Sequence, residues 1–160
     1  MELRSVRVAI PEGANVILGQ THFIKTVEDI YEIIRTTAPE AGFGVALCEA
    51  SGPCLVRIEG NDEEMKRSAA ENAIAIGAGH LFIVVMRGAF PISVLNPIKN
   101  CPEVCSIFAA TANPLEVIVA TTGLGKGIVG VVDGMSPLMI EGEKDRAERK
   151  AFLRKIGYKL

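Results

Sequence analysis

The chain has no tryptophan, only two histidines and two tyrosines, and no excess of positive charge. Seventeen Lys and Arg residues face nineteen Asp and Glu, a formal net charge of −2. A protein that grips a phosphate backbone needs a basic footprint, so nucleic acid is excluded as the main partner. Long hydrophobic runs are missing too. The longest, Leu81 to Met86, has the length of a strand and falls far short of the roughly 20 residues a membrane helix needs. Charges at Glu2, Arg4 and Arg7 break up the first ten residues, so no signal-peptide core exists there. The terminal Gly157-Tyr158-Lys159-Leu160 is not a lipidation box. A cytoplasmic protein without membrane attachment is the expectation. Repeats, low-complexity segments and linkers are also absent, which makes residues 1–160 one domain.

What remains is 49% hydrophobic and 22% charged, enough apolar residues for a full core without covalent staples. Few aromatics and a glycine-rich, weakly charged middle predict that the domain buries surface against copies of itself. Four cysteines stand at Cys48, Cys54, Cys101 and Cys105. Their spacing is looser than the knuckles of structural zinc. Without a secretory signal they read as free thiols serving as small hydrophobes.

Apolar patterning gives an alternation of strands and helices. Strands are expected over Leu3–Ile10, Asn15–Leu18, Phe43–Cys48, Leu55–Ile58, Leu81–Met86, Cys105–Ala109, Leu115–Thr121 and Ile128–Val132. Helices are expected after a cap at Thr26, from Asn61 or Asp62 to Gly77, over Pro91–Lys99, and over Glu143–Ile156 with Ala147, Phe152 and Ile156 facing inward. Leu81–Met86 is apolar throughout, so it reads as a central strand covered on both faces. The order is not a strict βαβ repeat. The fold class is α/β: a mixed sheet with about four helices packed on it.

Both histidines occupy unusual places. His80 follows Gly77-Ala78-Gly79, at the junction of a helix end and the buried strand, where glycines let a ligand approach the backbone. A neutral imidazole there is a nitrogen nucleophile and proton carrier; the plainer alternative is a strand-edge histidine bonded to a carbonyl. His22 lies in Gly19-Gln20-Thr21-His22-Phe23-Ile24-Lys25-Thr26. Gln20, Thr21, His22 and Lys25 before a helix suit an anion, or simply cap that helix.

Gly125-Lys126-Gly127 sits in a glycine run that matches G-x-G-x-x-G through Gly130. A dinucleotide fingerprint needs a helix after it, and here a strand follows. Protein-kinase partner motifs are absent. A glycine hairpin with Lys126 can still cradle a phosphate, or the glycines serve only the turn. Two strand-end loops add Glu49, which suits a ribose hydroxyl or an adenine amine, with Ser51 in the same loop, and Asn113, which suits a base edge, although turns use these same residues. Asp133 stands at another strand end as a carboxylate or a turn residue.

Several long segments in register resemble the adenosine-specific kinase family of archaea and bacteria. They are Gly19–Asp29, Cys48–Gly52, Gly77–His80, Pro91–Asn96, Ala110–Pro114, Gly130–Gly134 and Phe152–Lys159. The resemblance implies an α/β homotrimer that binds adenosine and AMP, and a histidine that holds a phosphoryl group stably; the matching motif makes this His80. Asp133 then orients the imidazole or acts as base. Glu49 and Asn113 read the nucleoside, with Ser51 as a further ligand-binding residue, and Gly125, Lys126 and Gly127 hold phosphate. The family often has Arg where this chain has Lys126, which keeps the charge and loses the bidentate fork. No metal ligands are assigned, and Mg2+ is the one cofactor left open. The alternative to an enzyme is a trimeric AMP or adenosine sensor in which His80 is only a phosphate ligand.

Overall fold

The computed structural model describes residues 1–160. Its element order is β1 (Glu2–Val8), β2 (Asn15–Thr21), α1 (Thr26–Thr37), β3 (Gly42–Cys48), β4 (Val56–Gly60), α2 (Glu63–Ile76), β5 (Leu81–Arg87), a 3-10 turn (Pro91–Ser93), α3 (Leu95–Lys99), β6 (Val104–Thr111), β7 (Leu115–Thr121), β8 (Lys126–Asp133) and α4 (Glu143–Lys155). The α/β class with packed helices is what the chain forms. The strands, however, build two sheets instead of one mixed sheet. A five-stranded sheet has the order β4-β3-β5-β2-β6 and a three-stranded one the order β1-β7-β8. Every strand pair in both is antiparallel. Long β–α connections return chains without fixing strand direction, so element order alone left this open.

The large sheet is covered on both faces, and β5 shows how. Leu81, Ile83 and Val85 point into a core shared with α2 and the small sheet. Phe82, Val84 and Met86 point into a second core under α1 and α3. An unbroken apolar strand is the sequence signature of such two-sided burial. On the first face α2 lies very close to β3. A Cβ on Gly44 would fall on the α2 backbone, 2.5 Å from the carbonyl carbon of Met65, and small residues Ala46, Ala69 and Ala73 complete the contact.

The strongest helix forms as its ends dictate. The Asp62 side chain accepts from the backbone N–H groups of Glu64 at 3.0 Å and Met65 at 3.2 Å. Gly77 closes the helix at φ +66°, donating its N–H to the Ala73 carbonyl at 2.8 Å. In the middle, Asn72 clamps the end of β1: it accepts from the Ala9 N–H and donates to the Ala9 carbonyl, both at 2.8 Å. The amide thus ties the small sheet to α2.

Three expectations need correction. Strand β2 runs on through Gly19, Gln20 and Thr21, which a polar composition had suggested was loop. Gly19 survives there because its backbone passes under the Phe82 ring, where a Cβ would lie 2.5 Å from the ring edge. Thr26 is the first residue of α1 and buried, not its cap; its hydroxyl bonds to the Phe23 carbonyl and the Thr21 hydroxyl. Helix α4 buries no residue, so Ala147, Phe152 and Ile156 do not face inward. No helix is long and apolar enough to cross a membrane.

Candidate functional site

Three chain segments converge at one end of the large sheet: the exits of β2 and β3 and the entry to β5. His80 is the knot between them. Its N–H donates to the Cys48 carbonyl and its carbonyl accepts from the Thr21 N–H, both at 2.9 Å. It holds φ +59°, a left-handed conformation that costs a non-glycine residue about 1–2 kcal/mol. Strain of this kind in a residue tied on both sides marks it as a site worth chemical scrutiny.

Beside this knot opens a cleft of about 820 Å³, within the range of small-molecule sites. Gly77, Ala78 and Gly79 form one wall, Glu49 and Ala50 another, and the hairpin from Thr122 to Val129 the third. A lone parallel bridge joins Ala78 to Lys126, so the glycine hairpin of the small sheet is stitched to the loop before His80. Lys126 extends over Gly77; a Cβ at Gly77 would sit 3.2 Å from its Nζ. A smaller cavity of about 200 Å³ adjoins, lined by Gln20, Gly79, Phe108, Lys126 and Gly127 among others. Lys126 therefore lines both spaces, and no acid pairs with its ammonium.

Glu49 is the one carboxylate on the cleft wall. It accepts from the Leu55 N–H at 2.8 Å and from Arg57 at 2.9 and 2.7 Å. These bonds, the backbone one foremost, hold its carboxyl below the usual range. A carboxylate has about four acceptor positions, so room for one more donor remains. With its charge met by Arg57, Glu49 offers no ligand set for Mg2+, and the cleft has no second carboxylate. Burial pushes the neighbouring Cys48 thiol up to about 11, which keeps it an inert part of the wall.

Not every expected residue arrives here. Gln20, Glu49, Gly125, Lys126 and Gly127 do. Ser51 lies in an exposed turn outside the lining, and His22 is exposed and lines neither cavity. Thr21 is buried and committed to the Thr26 hydroxyl and the Glu103 carbonyl. Lys25 is tied to Asp29 and, at 3.0 Å, to Glu103. Both are structural and not free to bind an anion. Asp133 and Asn113 require the largest correction. Asp133 accepts from the Thr111 hydroxyl at 2.7 Å and from the Asn113 amide at 3.2 Å. This group sits at the opposite end of β7 and β8 from Lys126, since Leu115 pairs with Asp133 and Thr121 with Lys126. Seven residues of strand separate the two ends by roughly 23 Å. Within one chain Asp133 cannot orient the His80 imidazole, and Asn113 cannot read a base in this cleft.

The imidazole of His80 is half-buried and is not itself part of the cleft lining. His80 directly follows Gly79, which does line the cleft.

Sequence reading missed the apolar walls, Leu55, Ile74, Leu124 and Ile128. Ile74 left a signal: it is an isoleucine off the buried stripe of α2 formed by Met65, Ala69, Asn72, Ala73 and Ile76. Also missed was the cluster of Lys25, Asp29, Cys101 and Glu103. Glu103 is only 4% exposed. Hydrogen bonding from the Asp29 carboxyl, then from Cys101 and Lys25, holds it down at about 2, while Asp29 is raised by the same contact. These residues are scattered along the chain, so no local pattern announces them.

A family model described as adenosine specific kinase matches residues 6–159. The crystal structure of the PH1918 protein from Pyrococcus horikoshii OT3 is similar, with 45% sequence identity and a TM-score of 0.96 over 99% of this chain and 98% of that one. No curated protein matches the chain.

Proposed function

The chain belongs to the adenosine-specific kinase family, and from that premise we propose that it binds adenosine and AMP in the Lys126 cleft and passes a phosphoryl group through His80. The observation that carries this reading is the stitching of Lys126 to the Gly77-Ala78-Gly79-His80 loop. One unpaired ammonium hangs over bare glycine backbone, next to a strained histidine and a cleft sized for a nucleoside. Phosphate sits against Lys126 and the glycine hairpin, where backbone N–H groups and a cation suffice to hold it. The apolar walls take the base, and the last acceptor position of Glu49 takes a ribose hydroxyl or the adenine amine.

The transfer has two halves. A ring nitrogen of His80 attacks the phosphorus of a phosphoanhydride donor; a P–N bond forms as the P–O bond to the leaving group breaks. The 5′-hydroxyl oxygen of adenosine then attacks that phosphorus. The P–N bond breaks, its electron pair returns to the ring, and the hydroxyl proton passes to solvent. Lys126 stabilises the transferring oxygens in both halves. The cleft supplies no protein ligand set for Mg2+. The exposed C-terminal segment supports assembly of copies; the family resemblance makes that assembly a homotrimer.

Intact mass and peptide mapping at neutral pH test the reading after incubation with a phosphoanhydride donor. An acid-labile phosphoryl group is expected on His80, absent in His80→Ala and kept in His22→Ala. Phosphate on His22 instead would move the chemistry there. A second reading, an AMP or adenosine sensor, is favoured by one observation: the imidazole is outside the cleft lining. It predicts AMP binding with no phosphoryl group on either histidine.

A further inference from the structure

We propose that the C-terminal arm, residues 134–160, of a second copy closes over the cleft, so that the site is complete only between two copies. This rests on the reading that the cleft is the nucleotide site.

The arm has no place on its own chain. Met135, Leu138, Met139 and Ile140 are between 82% and 97% exposed. Helix α4 buries nothing, and Phe152, Ile156, Tyr158 and Leu160 are exposed as well. Yet the helix has defined ends. The Gly142 N–H donates to Asp145 at 2.8 Å, and the Tyr158 N–H donates to the Leu153 carbonyl at 3.0 Å. A helix of 13 residues without a buried face is marginal in water. An ordered arm with two groups of exposed apolar side chains, at 135–140 and 152–160, needs a partner surface.

Charge and shape point to a second copy of the same chain as that partner. Residues 141–160 carry seven basic side chains against four acidic ones, while residues 1–140 carry ten against fifteen. The arm and the body are therefore complementary. Around the cleft the body presents its own exposed apolar rim: Leu55, Ile74, Leu124 and Val129. The arm leaves at Asp133, the end of β8 opposite to Lys126, roughly 23 Å away by strand rise. One end of the small sheet thus offers the arm and the other receives it. Such a head-to-tail contact closes into a ring when the rotation permits.

The site itself lacks what the arm would bring. Lys126 is its only unpaired cation, and the His80 ring is half-exposed beyond the cleft wall. A phosphoramidate lasts only where water is excluded and its oxygens find positive partners. The ion pairs of the arm use Lys144, Arg146 and Arg149, which leaves Lys150, Arg154, Lys155 and Lys159 without acidic partners and free to meet phosphate.

The test uses position and not turnover. Cys54 lines the cleft and is exposed, and Cys105 is the other exposed thiol. In full-length Cys105→Ser protein carrying Ile156→Cys, a short bifunctional maleimide should join Cys54 of one chain to position 156 of another. Mixing isotopically heavy and light protein identifies the linked peptides as intermolecular. Light scattering of the unmodified protein should give an oligomer, and a chain ending at Gly134 should be a folded monomer by circular dichroism and scattering. A monomeric full-length protein, a linkage within one chain, or no linkage to Cys54 overturns the proposal. An AMP titration of the same protein keeps the two ideas apart: cross-linking without AMP binding would sink the nucleotide reading and leave the arm in place.

Discussion

Replacing Lys126 with alanine isolates the phosphate contact from every other part of the site. The side chain is exposed and makes no ion pair, so its loss leaves no buried partner stranded. A hydrogen bond to a charged group contributes about 1.5–3 kcal/mol. At about 1.4 kcal/mol per decade, AMP should bind about 10- to 150-fold more weakly to Lys126→Ala. Adenosine carries no phosphate, so its affinity should change less than about threefold, within the 0.5 kcal/mol scatter of surface substitutions. The unfolding midpoint should stay where it is. Lys126→Arg should restore most AMP affinity, because the charge returns. Isothermal titration with both ligands on the three proteins reads the ratio directly. An equal loss for adenosine and AMP would show that Lys126 shapes the cleft and does not hold phosphate. No loss for AMP would place the phosphate elsewhere.

Gly44→Ala should destabilise the fold by about 1–3 kcal/mol in denaturant unfolding, since the new methyl meets the α2 backbone and neither element can yield; a neutral result would mean that α2 is not seated as described. Glu103→Gln should cost stability at neutral pH, and the gap from the parent should narrow with acid. The Glu103 carboxyl is depressed from 4.5 to about 2 in the folded chain, so its stabilisation is full above the unfolded value and is lost as pH falls through about 2; a gap that stays constant from pH 7 to 2.5 refutes this. In maleimide labelling Cys54 and Cys105 should react and buried Cys48 should not. AMP should slow Cys54, which lines the cleft, and leave Cys105 unchanged; equal slowing of both would remove the ligand from this cleft.

Local chemistry wrote much of this molecule into its sequence. Asp62 and Gly77 bound α2 because a side-chain acceptor and a left-handed glycine satisfy helix ends wherever they occur. The unbroken run Leu81–Met86 announced a strand buried on two faces. The glycines before His80 and around Lys126 marked the backbone to which a ligand has access, and both segments do line one cleft. Motifs in register over nearly the whole chain identified the family. Strand direction, by contrast, depends on pairing between segments far apart, and only the tertiary structure resolved two antiparallel sheets. The same holds for Asn113 and Asp133. Their residue types suit a nucleoside site, but strand register put them at the far end of β7 from Lys126. Lys25 and Thr21 looked like free ligands until Glu103, distant in sequence, folded against them. The apolar positions of α4 satisfied a helical period that a lone chain does not bury. A periodic pattern fixes which residues share a face; what covers that face is decided by whatever surface arrives there.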